Sequence, residues 1–522
     1  MTERIYIDIG AKRIQTWISK PLKLKYIKGG SLRLSVATDD EVISSWLYKN
    51  RMSDFAIVPE AGNIDGVVVL VAKDVVSPQR ADEVAKKLLL HLNNKLPGVE
   101  WSGWRCLASS FMDAFNRAEM DNEDKKYEFE PSLMEFSGVA LCEGCKAEAR
   151  TREIGHVQEK LGVDCASRFV SSEKDDADRE EKEKRKLAEY SEEKFTELWP
   201  QDFEQLSRSR GRFSEMQGSD RLAKRPRNHI ATICADGNKI GALFRELSMY
   251  PELADFKHKA IRLLDDFSHQ AVEYATNYVR YKDQHVVSLC HYIGGDDILA
   301  SVVADEAWRF AAVMIEKFEG LKEEYHKILD SVDDGNFSSG ARKRIVDHIG
   351  EISLGVGIVF SHFSYPFYEC RHKAEAALSY AKQVSKGEVS AICWMDMTEG
   401  GGESLYTADK YVIDFYDVKK QLDDDDSLPD VFKLTSTAQH NLRDLCIAWS
   451  QEDNGVEEDI IEARFTERKT YVDEWVGRFE YKDIDIDVTT MEADLHRARW
   501  WPYVGNKKGK MRKYSDVQNI GF

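Results

Sequence analysis

Asp236, Asp296 and Asp297 are the residues of this sequence best suited to chemistry. Asp236 ends the apolar run HIATICAD (229–236), and Asp296 and Asp297 close the stretch Gly294-Gly295-Asp296-Asp297. That stretch lies between two further apolar runs, VVSLCHYI (286–293) and DILASVVA (297–304). Carboxylates brought together repel, and their pKa values rise unless a cation stands among them. Hard oxygen ligands that leave room for water and phosphate suit Mg²⁺ or Mn²⁺ carried with a nucleotide. Two such ions can activate a ribose 3′-hydroxyl and neutralise charge developing on the α-phosphate and the leaving pyrophosphate. Gly294 and Gly295 permit positive φ and leave space for a triphosphate. Gly237, Asn238 and Gly241 belong to the loop GNKIG, which opens a helix whose free N–H groups can receive phosphate oxygens. A tight type I′ hairpin with solvated acids is the plainer reading of the same residues.

Cys142-x-x-Cys145 is followed, after 19 intervening residues, by Cys165. Zinc takes four ligands near tetrahedral geometry. The position that would complete a second CxxC pair is Arg168, so His156 or another group would have to close the shell. An eroded knuckle with free thiols is the alternative. Nine cysteines in 522 residues is ordinary usage, and an odd count without a dense framework indicates a reducing, cytoplasmic setting.

The acids need a scaffold, and the flanking pattern supplies one. Strand 229–236, a helical stretch to about Tyr281, the hairpin, a helix over roughly 305–329, strand 353–361, helix 365–382 and strand 389–395 give the order βαββαβ plus a final strand. One face of the first helical stretch carries Ala260, Leu264, Phe267, Ala271, Tyr274 and Tyr278. In a split βαβ unit the strands ending at Asp236 and Ile293 run parallel with the return strand between them. Their carboxyl ends then share one edge of the sheet, and the three acids converge.

The first ~110 residues repeat the order: strand 4–10, a helical segment from Ser31 to Lys49, strands 54–61 and 66–72, helix 77–98 opened by Ser77-Pro78, and strand 99–108. The expected organisation is α+β, with two ferredoxin-like palm domains at 1–110 and 229–398. A cysteine-containing helical insert of zinc-knuckle type fills 111–228, and a helical C-terminal domain fills 399–522, with helices near 430–450 and 456–479. The mixed-charge run 171–194 reads as a solvated helix or linker.

Composition narrows the classes. Hydrophobic residues at 42% are enough for several cores and rule out a wholly disordered chain. Lys and Arg number 73 against 92 Asp and Glu, a net charge of −19, which argues against indiscriminate coating of nucleic acid or anionic membrane. Basic stretches at Lys20–Lys28, Arg221–Arg227 and Lys507–Lys513 could touch RNA or an acidic partner, or simply be solubilising surface. No run of 18 apolar residues occurs and the mean hydropathy is −0.49, so no membrane span or membrane partner is expected.

The segments ICADGNKIGALF (233–244), CHYIGGDDILASV (290–302) and GVGIVFSHFSYPFYECRHKAEAALSYAK (355–382) together resemble a known family, as does the opening IDIGAKRIQTWISKPLKLKYIKGGSLRLS (7–35). That family is the large subunit of type III CRISPR effector complexes, the CRISPR polymerase, whose palm domains are relatives of GGDEF cyclases. The resemblance implies an enzyme that joins ATP into cyclic oligoadenylate with 3′–5′ links and releases pyrophosphate, alongside other effector subunits and guide and target RNA. It assigns two Mg²⁺ or Mn²⁺ ions to Asp236, Asp296 and Asp297, with the Gly237 carbonyl as an extra ligand. It further assigns a phosphate-binding role to Lys382, and Zn²⁺ to Cys142, Cys145 and Cys165. Lys382 as a solvated helix-end lysine, and His362 as a packed histidine rather than a nucleotide contact, are the plainer readings. A strand beginning at residue 4 and the lack of any His-Asp dipeptide imply no HD nuclease domain. The first palm lacks paired acids in VPEAGNIDG (58–66), as a structural partner would. A GGDEF-like cyclase using GTP and a non-catalytic nucleotide-binding scaffold are the competing functions; the absence of Glu-Phe after the glycines favours ATP.

Overall fold

The computed structural model describes residues 3–129, 140–171, 200–209, 228–332, 340–398, 411–429 and 488–501, apart from short stretches inside these spans, with Phe432, Gln439 and Arg443. It is an α+β structure built around two sheets.

The first sheet forms from β1 (Arg4–Lys12), β2 (Phe55–Ile57), β3 (Val67–Ala72), β4 (Glu100–Ala108) and β5 (Lys125–Phe129), in the antiparallel order β2-β3-β1-β4-β5. Alternation along β1 sends Ile5, Ile7 and Ile9 into the main core and turns Tyr6, Asp8 and Gly10 the other way. Four helices cover the core face: α1 (Ile14–Ser19), α2 (Leu24–Thr38), α3 (Asp40–Lys49) and α4 (Pro78–Lys95). The single helix expected over 31–49 is two helices. Asp39 breaks it, because its carboxylate accepts the amides of Glu41 and Val42 and so caps α3. Helix α4 starts as its sequence dictates: the Ser77 hydroxyl accepts the Arg80 amide, and Pro78 fills the first turn. Asp82 of α4 then ties the helix to β4 and β5 through Arg105 at 3.0 Å, Lys125 at 2.6 Å and Tyr127 at 2.6 Å.

This sheet runs past the boundary expected at 110. Helix α5 (Phe111–Glu119) packs on its outer face, and β5 adds a fifth strand from KKYEF, whose apolar content is too low to announce it. The cysteine-bearing segment follows, with the hairpin β6 (Arg152–Ile154) and β7 (Glu159–Leu161) and helix α6 (163–171).

After α7 (Phe203–Arg208), the second sheet comprises β8 (His229–Asn238), β9 (Ser288–Gly294), β10 (Asp297–Val303), β11 (Ser353–His362), β12 (Ala391–Asp396) and β13 (Val412–Asp414). Its order is β13-β12-β11-β8-β10-β9. The hairpin's return strand β10 thus lies between β8 and β9, as the split βαβ reading requires. The four strands β9-β10-β8-β11 repeat the order of β2-β3-β1-β4. Beyond them, β12 joins β11 in parallel, and β13, which the sequence pattern did not indicate, closes the edge. One face carries α8 (Ile240–Ser248), α9 (Ala254–Val279), α10 (Ala307–Glu319), α11 (Leu321–Asp330) and α12 (Ala341–Gly350). On α9 the expected apolar face is observed: Ala260, Leu264, Ala271 and Tyr278 are buried, and Phe267 and Tyr274 pack against them. The helix expected over 305–329 is broken at Gly320 into α10 and α11.

Helix α13 (Phe367–Ser385) lies on the opposite face, against β11, β12 and β8. A β-carbon at Gly357 would sit 2.1 Å from the Ala374 carbonyl oxygen, so only glycine lets the helix backbone rest on the strand. The remaining described pieces are α14 (Phe415–Asp423) and α15 (Val488–Trp500). Of the expected C-terminal helices, 456–479 lies outside the described residues and 430–450 almost wholly so, as do the mixed-charge run and Arg221–Arg227. No described helix is long and apolar enough to cross a membrane.

Candidate active site

Strand β8 occupies the middle of its sheet, and its ladders fix the site. Gly355 of β11 pairs with Asp236 on one side, and Ile298 of β10 pairs with Ala235 on the other, which sets Asp297 beside Asp236. The hairpin turn is Gly295-Asp296. Only Gly295 has positive φ (63°), the signature of a type II′ turn rather than type I′. Gly294 makes room for Tyr292: a β-carbon there would meet the Tyr292 hydroxyl oxygen at 1.9 Å and force that ring to move. At Gly237 a β-carbon would come within 2.8 Å of an Asp296 carboxylate oxygen, so the bare Cα lets Asp296 lean onto β8.

Asp296 lies against Asp236, and Asp297 stands within range of the Asp236 charge, with electrostatic consequences. Burial, then the charges of Asp236 and Asp297, pushes Asp296 up to about 7. Burial and Asp236 raise Asp297 to about 6, against the opposing pull of Lys382. Lys382 comes from the last turn of α13 and hydrogen-bonds the Asp236 carboxylate and, at 3.1 Å, the Gly237 carbonyl. Its path crosses β11 at Gly355, where a β-carbon would lie 2.8 Å from the lysine Cγ. The pattern GVG inside an apolar strand was the sequence's sign of this close approach.

The other sequence-derived positions divide. Asn238 is buried, and its amide donates to Ser353 Oγ at 2.8 Å, pinning the end of β8 to β11. Gly241 is exposed in the first turn of α8, behind Lys239 in the left-handed region. His362 stands at the far end of the strands, paired across the ladder with His229 and bonded to Ser364.

Three residues at the site carried no sequence signal beyond helical spacing. Gln15 of α1 hydrogen-bonds Asp297, carrying the first sheet's helix to the second sheet's acids. Asp265 of α9 accepts the Gly295 amide and so braces the turn. Glu375 of α13 pairs with Arg371, whose other end reaches Thr16 of α1 at 3.4 Å. In the first sheet the corresponding ladder positions are Gly10 and Val67, paired across β1 and β3, so no acids face each other on that ladder, while Asp65, two residues before β3, lies close enough to Asp265 and Tyr292 to act on both.

The thiols of Cys142, Cys145 and Cys165 lie within 4.8 Å of one another and are buried. The Gly144 amide donates to Cys142 Sγ at 3.3 Å. Hydrogen bonds from its two neighbours push the Cys142 thiol far below the ordinary range, while Cys145 and Cys165 are pushed up. Three soft ligands at this spacing fit zinc. Arg168 turns away to Asp164, at 2.9 Å, and to the carbonyls of Trp17 and Ile18; His156 lies outside the described residues.

Comparison with known proteins meets this geometry. Residues 229–390 match the Cas10/Cmr2 second palm domain. The matched span runs from the first residue of β8 nearly to β12 and contains all three acids and Lys382. Among solved structures, the apo Csm1–Csm4 cassette aligns with 96% of this chain and 70% of its own, at 11% identity and a TM-score of 0.51. Csm1 of T. onnurineus gives 95% and 69% at 11% identity and 0.51. The Csm1–Csm4 cassette in complex with cA3 gives 95% and 69% at 12% identity and 0.50. At these identities the likeness is one of fold, the fold of Csm1, and the second sheet is that of the Cas10/Cmr2 second palm domain. Comparison with curated proteins gives no match.

Proposed function

We propose that this chain is a metal-dependent nucleotidyltransferase that joins ATP into cyclic oligoadenylate with release of pyrophosphate, as the large subunit of a type III CRISPR effector. The observation that carries this reading is the meeting of Asp236, Asp296 and Asp297 beside the bare Cα of Gly237, with the Lys382 ammonium against them. Carboxyls whose pKa values are raised by burial and then by one another's charge form a set that divalent cations relieve, so the donors suit Mg²⁺ or Mn²⁺. Such ions, when bound, supply activation of a ribose 3′-hydroxyl and charge neutralisation on pyrophosphate.

The chain's own groups do the rest. Lys382 pairs with the Asp236 carboxylate and stands within reach of a phosphate beside Gly237. The first amides of α8 have no intrahelical acceptor, and exposed Gly241 lets phosphate oxygens approach them. Asp265 fixes the turn that presents Asp296. The fold shared with a Csm1–Csm4 cassette that holds cA3 supports an oligonucleotide product and a partner subunit of Csm4 type.

The test incubates the purified chain, alone and with partner subunits and target RNA, with ATP or GTP and Mg²⁺ or Mn²⁺, and identifies products by mass spectrometry. Oligoadenylate from ATP is expected. It should fall by roughly 10²–10³-fold in Asp296→Ala/Asp297→Ala, whose melting midpoint should hold or rise because the repulsion is gone. Products from GTP alone would identify a dinucleotide cyclase, and nucleotide binding with no product under every condition would identify a scaffold.

A further inference from the structure

The outer face of the first sheet carries a cavity that the proposed reaction does not use. Its volume is about 240 Å³, and its lining includes Asp8 and Gly10 of β1, Ser102 and Trp104 of β4, Ala118 of α5, and Glu123 just ahead of β5. The Glu123 side chain is 6% exposed. Its Oε1 faces Lys126 Nζ at 3.2 Å, while its Oε2 is buried with no hydrogen-bond partner among the described residues. Asp8 sits in mid-strand with Trp104 as its register partner across β4. Burial alone shifts the Asp8 carboxyl, up to about 7, and no described neighbour offsets that shift with a charge or a hydrogen bond.

A carboxylate withdrawn from water without a partner is strongly unfavourable. Here the unpartnered Oε2 of Glu123 and the half-buried carboxylate of Asp8 face the same space. Lys126 answers one oxygen of Glu123 and contributes nothing to the shift of Asp8. An anionic ligand is excluded by the acids, and an apolar ligand would leave them unpaired. A cation satisfies both, and the indole of Trp104 offers a face of the kind that attracts organic cations. The volume lies below the roughly 300–1,000 Å³ of drug-sized pockets, so the occupant is small.

We propose that this cavity binds a guanidinium or alkylammonium group on a short stem, held between Asp8 and Glu123 against Trp104. The group could be the side chain of a docked protein or a free amine, and the chemistry is the same for both. The site is independent of the nucleotidyltransferase reading, because neither acid belongs to the catalytic set.

Isothermal titration of the full chain with agmatine, with the capped peptide Gly-Arg-Gly, with n-butanol and with MgCl₂ tests the proposal. Both guanidinium probes should bind and butanol should not, and Asp8→Asn and Glu123→Gln should each weaken binding at least about tenfold. Tighter binding of the peptide than of agmatine identifies a docked side chain, and the reverse identifies a free amine. The melting midpoint of Asp8→Asn should equal or exceed that of the parent, because an unpaired, half-buried charge is removed. No binding of either probe, equal binding by both variants, competition by Mg²⁺ alone, or a lowered Asp8→Asn midpoint would overturn the proposal.

Discussion

On the proposed function, Asp265, which faces the Gly295 amide of the hairpin turn, is a positioning residue. Truncation to Ala frees the Gly295 N–H and lets the Gly295-Asp296 turn relax. We expect Asp265→Ala to lower the rate of oligoadenylate formation by about tenfold with little change in apparent KM for ATP, while Asp265→Asn, which keeps an acceptor, recovers most of the rate. Steady-state rates across an ATP series check this; a change confined to KM would contradict it. The acids themselves were legible in the sequence, because clustered carboxylates beside glycine at two strand ends have few structural uses. Gln15 and Asp265 were not, because each is one polar residue on an ordinary helix and gains its meaning only when another element arrives.

The elements explain why the site is held firmly. Strand β8 is hydrogen-bonded along both edges, and α13 rests on β11 through Gly357, so the lysine at its last turn cannot shift far from Asp236. At the other end of β8, α15 is latched by buried Asp396, which accepts the Trp500 indole N–H at 2.7 Å and Arg499 at 3.3 Å. His229 packs against Trp500 there, and burial, then Arg499, pushes it down to about 4. The sign follows: the unfolded chain takes up this proton near 6.5, so His229 contributes stability at neutral pH that is lost as pH falls from about 6.5 toward 4. Urea midpoints at pH 7 and pH 5 should therefore differ more for the parent than for His229→Phe. An equal difference would show that the histidine stays neutral or finds an acid partner. Core strands and amphipathic α9 could be read from apolar periodicity. The breaks at Asp39 and Gly320 and the short strands β5 and β13 could not, because capping and edge pairing override weak local patterns.

Across the whole molecule, the cysteine segment is bolted to the first sheet's helices. Arg168 is fully buried, stacks 3.9 Å over Trp17 and bonds the carbonyls of Trp17 and Ile18. Gly29 and Gly30 clear the space, since β-carbons there would lie 1.9 Å from the Arg168 carbonyl oxygen and 2.6 Å from its guanidinium. The residue standing where a fourth thiol was sought is thus committed to joining two parts of the fold. Arg168→Ala should cost about 3–5 kcal/mol in chemical denaturation, because Asp164 is left buried and unpaired. Zinc content by mass spectrometry should be unchanged in that variant and fall in Cys145→Ser; loss of metal in Arg168→Ala would contradict the separation of the two roles.

The repeated strand order carries a further consequence. Two sheets of one design meet near the hairpin turns, yet Gly10 and Val67 stand where the other copy has Asp236 and Asp297. The two sheets share a strand order and differ in the charge at these ladder positions. On the proposed function, phosphoryl transfer would be confined to the strand ends of the second sheet, and the first sheet could only help to position a nucleotide.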